Sequence, residues 1–127
     1  MRLDSIAKEY GDRVNFLCVY IEEAHPTDGS QSPPNLADEV LFAQPTTADE
    51  RAEVAAACML RFNFSFQMVL DHMTNEVEHR YMAMPERLYL LDSDGKVAWK
   101  CGLGPHLFDP DGFEQAIAEI VAEAGTT

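Results

Sequence analysis

Apolar positions along the chain change period several times, and each change marks an element. Leu3, Ile6, Ala7 and Tyr10 recur at helical spacing, and Gly11 suits the stop that follows. Residues 14–21 (VNFLCVYI) are nearly unbroken in apolar and β-forming types, the pattern of a strand covered on both faces. From 25 to 45 the periodicity disappears. Pro26, Gly29, Pro33, Pro34 and Pro45 predict a long loop, and a loop of that length inside a compact domain usually serves function. Thr46 or Thr47, followed by Asp49 and Glu50, suits a helix start, and Glu50 stands three after Thr47 as in a capping box; the helix runs to about Arg61.

Residues 67–70 (QMVL) predict a short buried strand ending in Asp71. Residues 74–82 predict a helix with Val77 and Tyr81 on one apolar face, broken by Met84-Pro85. Residues 87–91 and 96–100 predict the strands of a hairpin turned by Asp92-Ser93-Asp94-Gly95. A last helix over 111–124 carries Phe113, Ile117, Ile120 and Val121 as its stripe. The order α-β-loop-α-β-α-β-β-α points to an α/β sandwich with a mixed sheet in a single domain, 1–127. An X-Pro ahead of a strand, hairpin and helix matches the second half of a thioredoxin-like fold, with Met84-Pro85 as the expected cis bond.

Composition narrows the partners. With 46% hydrophobic residues in 127, there is material for a core. A net charge of −13 leaves no Lys/Arg-rich face for nucleic acid or an anionic membrane. No run approaches the roughly 18 apolar residues of a membrane span, and the start has no basic segment leading into an apolar one. The expected setting is cytoplasmic, with an anchor or signal upstream of Met1 left open. Cys18, Cys58 and Cys101 are widely spaced and suit reduced thiols. Cys18 and Cys58 fall in apolar runs and are expected to be buried, Cys101 to be more exposed, and none has the neighbours of an activated thiolate.

Three segments carry a family resemblance. Residues 16–29, FLCVYIEEAHPTDG, resemble the strand and loop written FLxVYIEEAHPSDGW in the iodothyronine deiodinases. Residues 84–90, MPERLYL, resemble that family's PERLY strand, and 95–110, GKVAWKCGLGPHLFDP, its hairpin and Gly-Pro loop. The likeness extends from Leu3 to Ala122. It implies a thioredoxin-like, peroxiredoxin-related fold and a selenol- or thiol-dependent oxidoreductase that removes iodine reductively from iodinated phenols of the iodothyronine kind. In the family, a strand ending in T-U-P-P-F (U is selenocysteine) precedes the helix that MRLDSIAKEY resembles. The first strand and the nucleophile are therefore expected upstream of Met1, where a UGA codon read as stop would clip the frame. The fragment alone is expected to be inactive and poorly folded.

By the same resemblance His25 serves proton transfer and Glu23 orients it, while Glu22 faces the other way, into solvent. Arg87 of PERLY holds a substrate oxygen with its planar fork, a salt bridge to Glu86 or Glu22 being the competing reading. His72, His79 and His106 read as surface residues. Glu22 and His25 lack the second pair a metal would need, so no metal and no bound cofactor is expected. A thiol reductant would be the cosubstrate, an aromatic halide or redox thiol protein the partner, and a homodimer stays open. Two departures bear on substrate: Ser30 stands where the family usually has tryptophan, and Gln44-Pro45 where vertebrate enzymes tend to carry a histidine. A non-catalytic thioredoxin-fold binding domain and a peroxiredoxin-like thiol peroxidase remain the other readings.

Overall fold

A computed structural model describes residues 2–22, 44–62 and 64–125. Along them run α1 (Arg2–Tyr10), β1 (Leu17–Tyr20), α2 (Ala48–Phe62), β2 (Gln67–Leu70), α3 (Glu76–Tyr81), β3 (Tyr89–Leu91), β4 (Val97–Lys100) and α4 (Pro110–Gly125). The α/β order follows the hydrophobic pattern. The described strands form two small two-stranded sheets, β1-β2 and β3-β4, compatible with the expected α/β class. Apolar runs locate strands but do not choose their partners.

Two compact units are distinguished. The first comprises 1–17, 65–67 and 85–127, the second 18–64 and 68–84. The first has an apolar core in which Ile6 of α1, Leu90 of β3, and Phe113 and Ile117 of α4 meet, with Phe16, Leu88 and Trp99 packed against them. Phe16 meets Phe113 edge-on, with ring centroids 6.4 Å apart. Arg2 reaches Asp111 and Glu114 at 2.8 Å each, adding a surface clamp between α1 and α4. The hairpin pairs Tyr89 with Lys100 and Leu90 with Trp99, then shifts register before Leu91 and Val97. Its turn is held by Asp92, whose Oδ1 accepts the N–H groups of Asp94 and Lys96. Gly95 takes φ +81°, a value that L side chains rarely adopt.

In the second unit the largest buried side chains are polar. Arg51, Asp71 and Glu78 are all buried, beside Ala55. Thr47 caps α2 by accepting the Glu50 N–H at 3.1 Å, and the Glu50 carboxylate turns back to the Thr46 N–H and hydroxyl. The box is therefore formed one residue wider than its spacing suggests. Those bonds from Thr46 hold the Glu50 carboxyl below its ordinary range.

The cis peptide bond among the described residues is Gly104-Pro105, and Met84-Pro85 is not cis. The X-Pro preference is under about 1 kcal/mol, too small for a sequence to select the isomer. The thiols also reverse expectation. Cys101 is buried, while Cys18 and Cys58 are half-buried. Cys101 lies in the strand extension beside Leu88, whereas apolar neighbours in sequence do not ensure depth.

Candidate functional site

The second unit brings a polar group together at the carboxyl ends of β1 and β2. Asp71 follows β2, and its N–H donates to the Tyr20 carbonyl at 2.9 Å, closing the ladder at that end. The Asp71 carboxylate then caps α3 from a distance in sequence. Oδ1 accepts the N–H groups of His72 (2.8 Å) and Val77 (3.0 Å), and Oδ2 that of Glu78 (2.9 Å). Burial pushes the Asp71 carboxyl up. The three donors and the nearby Arg51 outweigh it, so the group is held below its ordinary range.

Asn75, just before α3, sits in the left-handed region at φ 59°, and its side chain does not cap the helix. It bridges two neighbours. Its Oδ1 accepts from Arg51 Nη2 at 2.9 Å, and its Nδ2 donates to Glu22 Oε2 at 3.3 Å. Arg51 Nη1 donates to the carbonyls of Asp71 (3.2 Å) and His72 (2.9 Å). One guanidinium thus ties α2 to the turn that carries both Asp71 and Asn75.

Glu78 faces this group. Its carboxyl hydrogen-bonds Glu22, and burial together with that neighbour raises it to about 7. Oε2 lies 3.5 Å from His79 Nε2, while Oε1 is buried with no partner among the described residues. The Tyr20 hydroxyl is likewise buried without a partner there. Two expectations change as a result. Glu22 is half-buried and engaged by Asn75 and Glu78, not turned to solvent. The inward residue of α3 is Glu78, whereas Tyr81 is 37% exposed, because α3 is one short turn set by Asp71 and its face follows the cap.

His25 and Glu23, expected to act in catalysis, lie outside the described residues, as does Ser30. Arg87 belongs to the first unit. Its Nε donates to the Cys101 carbonyl at 2.8 Å, and its guanidinium carbon stands 5.4 Å from the Tyr89 ring centroid. Leu88 and Cys101 extend the hairpin: Cys101 N–H donates to the Leu88 carbonyl, and Leu88 N–H to Cys101 Sγ at 3.3 Å. The Cys101 carbonyl and the Tyr89 ring thereby aim the side chain of Arg87. His72, His79 and His106 are exposed. Burial, with a smaller contribution from Cys58, pushes the Cys18 thiol up, away from the ionised form a nucleophile needs. An open cleft in the first unit, walled by Val14, Phe16 and Phe66, has no His, Cys or carboxylate in its lining. Among the described residues no group of three or more His, Cys, Asp or Glu is placed to hold a metal, and no helix is long and apolar enough to cross a membrane.

The sequence model of the family described as iodothyronine deiodinase matches residues 2–119. The chain belongs to the iodothyronine deiodinase family. Among curated deiodinases it is 32% identical over 108 residues to the type I iodothyronine deiodinase of Xenopus laevis, covering 85% of this chain and 40% of that protein. It is 39% identical over 101 residues to the thyroxine 5-deiodinase of Aquarana catesbeiana, covering 79% and 35%. Against the thyroxine 5-deiodinase of Ovis aries it is 36% identical over 104 residues, covering 79% and 32%. The chain thus spans 40% or less of the length of these deiodinases. The match includes both the strand that leads into Glu22 and the hairpin that carries Arg87.

Sequence reasoning missed Arg51, Asp71, Asn75 and Glu78. A signal existed for Arg51, which shares the inward i, i+4 row of α2 with Ala55. Asp71, an acidic residue between a strand and a helix, was also readable as a cap. Glu78 gave none, since a glutamate in a short polar helix reads as solvent-facing.

Proposed function

We propose that this chain contributes the deiodinase-family part of a selenol- or thiol-dependent oxidoreductase that removes iodide from iodinated phenols. The observation that carries the reading is the family match over 2–119, which takes in the EEAH and PERLY segments. The fold it implies is thioredoxin-like, with a selenol or thiol as the nucleophile. A selenolate or thiolate takes the iodine from the ring, forming a chalcogen–iodine bond, and the ring carbon takes a proton. A thiol then displaces iodide, and a second thiol releases the nucleophile as a disulfide forms. His25 moves the proton, Glu23 orients His25, and Arg87 binds a phenolate or carboxylate oxygen with its fork. Reduced thiols and a cytoplasmic setting go with this chemistry, and no bound cofactor enters it. Ser30 and Gln44-Pro45 favour a halogenated phenol other than thyroxine.

The test is a substrate panel on the protein with its preceding sequence, supplied with a dithiol. Turnover of iodophenols that His25→Ala abolishes supports the reading. Turnover of peroxide alone makes the protein a thiol peroxidase, and turnover of neither leaves a binding domain.

A further inference from the structure

The hairpin of the first unit has two faces, and the core takes up one of them. Leu88, Leu90 and Trp99 join the core beneath α4, where Trp99 meets Phe113 with ring centroids 5.8 Å apart. Alternation along the strand puts Arg87, Tyr89 and Leu91 on the other face. The ladder sets Lys100 opposite Tyr89 and Val97 opposite Leu91. The register shift before Leu91 keeps Val97 on this side, because a bulge sets two residues against one.

Charge and polarity are ordered along that face. At one end the Arg87 guanidinium carbon stands 5.4 Å from the Tyr89 ring centroid, and Lys100 lies across the ladder from the same residue. Side chains paired in this way start about 5 Å apart, so both cations border one ring. Lys100 is exposed and makes no ion pair with a described residue. Glu86, the nearest carboxylate in sequence, packs against Gly104 instead. Next along the face come Leu91 and Val97, 45% and 51% exposed. Asp92 and Asp94 follow at the turn. In a chain with nine Lys and Arg against 22 Asp and Glu, this end of the hairpin reverses the prevailing field. Two residues of strand span about 7 Å, which matches the length of one substituted aromatic ring.

We propose that Lys100 is a second anion-binding residue beside Arg87, and that this face takes an aromatic acid. The carboxylate sits between Arg87 and Lys100, and the ring lies along Leu91 and Val97. Arg87 supplies a planar fork and Lys100 a point charge, so the two divide direction and attraction between them. The acidic turn at the far end repels the carboxylate and fixes which way round the ligand lies. That the acid is an iodinated substrate rests on the dehalogenase reading, whereas the binding surface does not.

Binding of 3-iodo-4-hydroxybenzoate and of its methyl ester to the full chain, followed by amide NMR, tests the site. The acid should bind more tightly than the ester, shift the amides of 87–91 and 97–100, and weaken as salt rises. Lys100→Met should lower affinity for the acid by up to about fivefold, the scale of one exposed ion pair, and bring acid and ester closer together. Leu91→Thr combined with Val97→Thr should weaken both ligands alike. Where iodide release is measured, the loss in Lys100→Met should appear in KM rather than in kcat. An acid preference that Lys100→Met leaves intact would overturn the proposal, as would shifts confined to other segments or binding of neither ligand. Binding that follows these variants, with no iodide released from the acid, refutes the dehalogenase reading and leaves the site standing.

Discussion

The Arg51 guanidinium donates to Asn75 Oδ1 at 2.9 Å, joining a helix to the turn that opens α3. At 2% exposure Arg51 is among the most buried side chains; carbonyl and amide oxygens receive its two Nη nitrogens, while Nε is buried with no partner among the described residues. Lysine offers one point charge in place of the fork. Arg51→Lys should destabilise the second unit by about 3 kcal/mol, the scale of two or three buried acceptors left unsatisfied. Urea unfolding with α2 and α3 amide exchange as the probe measures it.

Asp71 does for α3 what a residue at its immediate start would ordinarily do. Asp71→Ala removes an acceptor shared by three backbone N–H groups and should cost about 2 kcal/mol, most of it local to α3. Asp71→Asn, which keeps one acceptor oxygen, should fall between the two. Protection of the Val77 and Glu78 amides reads this directly.

Acid stability of the first unit depends on Asp4. The Ser65 hydroxyl and N–H, and then Lys8, hold its carboxyl at about 2 against an ordinary 3.8. The unfolded chain binds that proton first as pH falls, so the contribution is full above 3.8 and is lost through about 2. Asp4→Asn should have an acid limb shallower by about one bound proton. Fluorescence of Trp99, the single tryptophan, which packs against Phe113 in this unit, follows the transition.

Most elements were legible because their periods are clean. The α4 stripe of Phe113 and Ile117 and the Asp92–Gly95 turn appear where the pattern puts them. The second unit was less legible for a physical reason. Its interior is organised by Arg51, Asp71 and Glu78, residue types whose burial depends on partners distant in sequence, such as Glu22 and Asn75. Hydropathy treats each of them as surface. Pairing of the strands, the proline isomer and the depth of Cys101 also rest on tertiary contacts that no window of sequence contains.

Arg87 is aimed by its bond to the Cys101 carbonyl and by Tyr89. Arg87→Lys keeps the charge and loses both the fork and the Nε donor. It should lower kcat/KM for an iodophenol about tenfold, roughly 1.4 kcal/mol, chiefly through KM. Thermal stability should change by less than about 1.5 kcal/mol, the scale of one hydrogen bond.

The central claim is reductive removal of iodide by a family member whose proton-transfer residue is His25. Its most direct measurement is iodide release from an iodinated phenol by the protein bearing its preceding sequence, with a dithiol in excess. One iodide per ring reduced, with release abolished in His25→Ala while the fold is retained, is the predicted result. An intact substrate, or a rate that His25→Ala leaves unchanged, would contradict it.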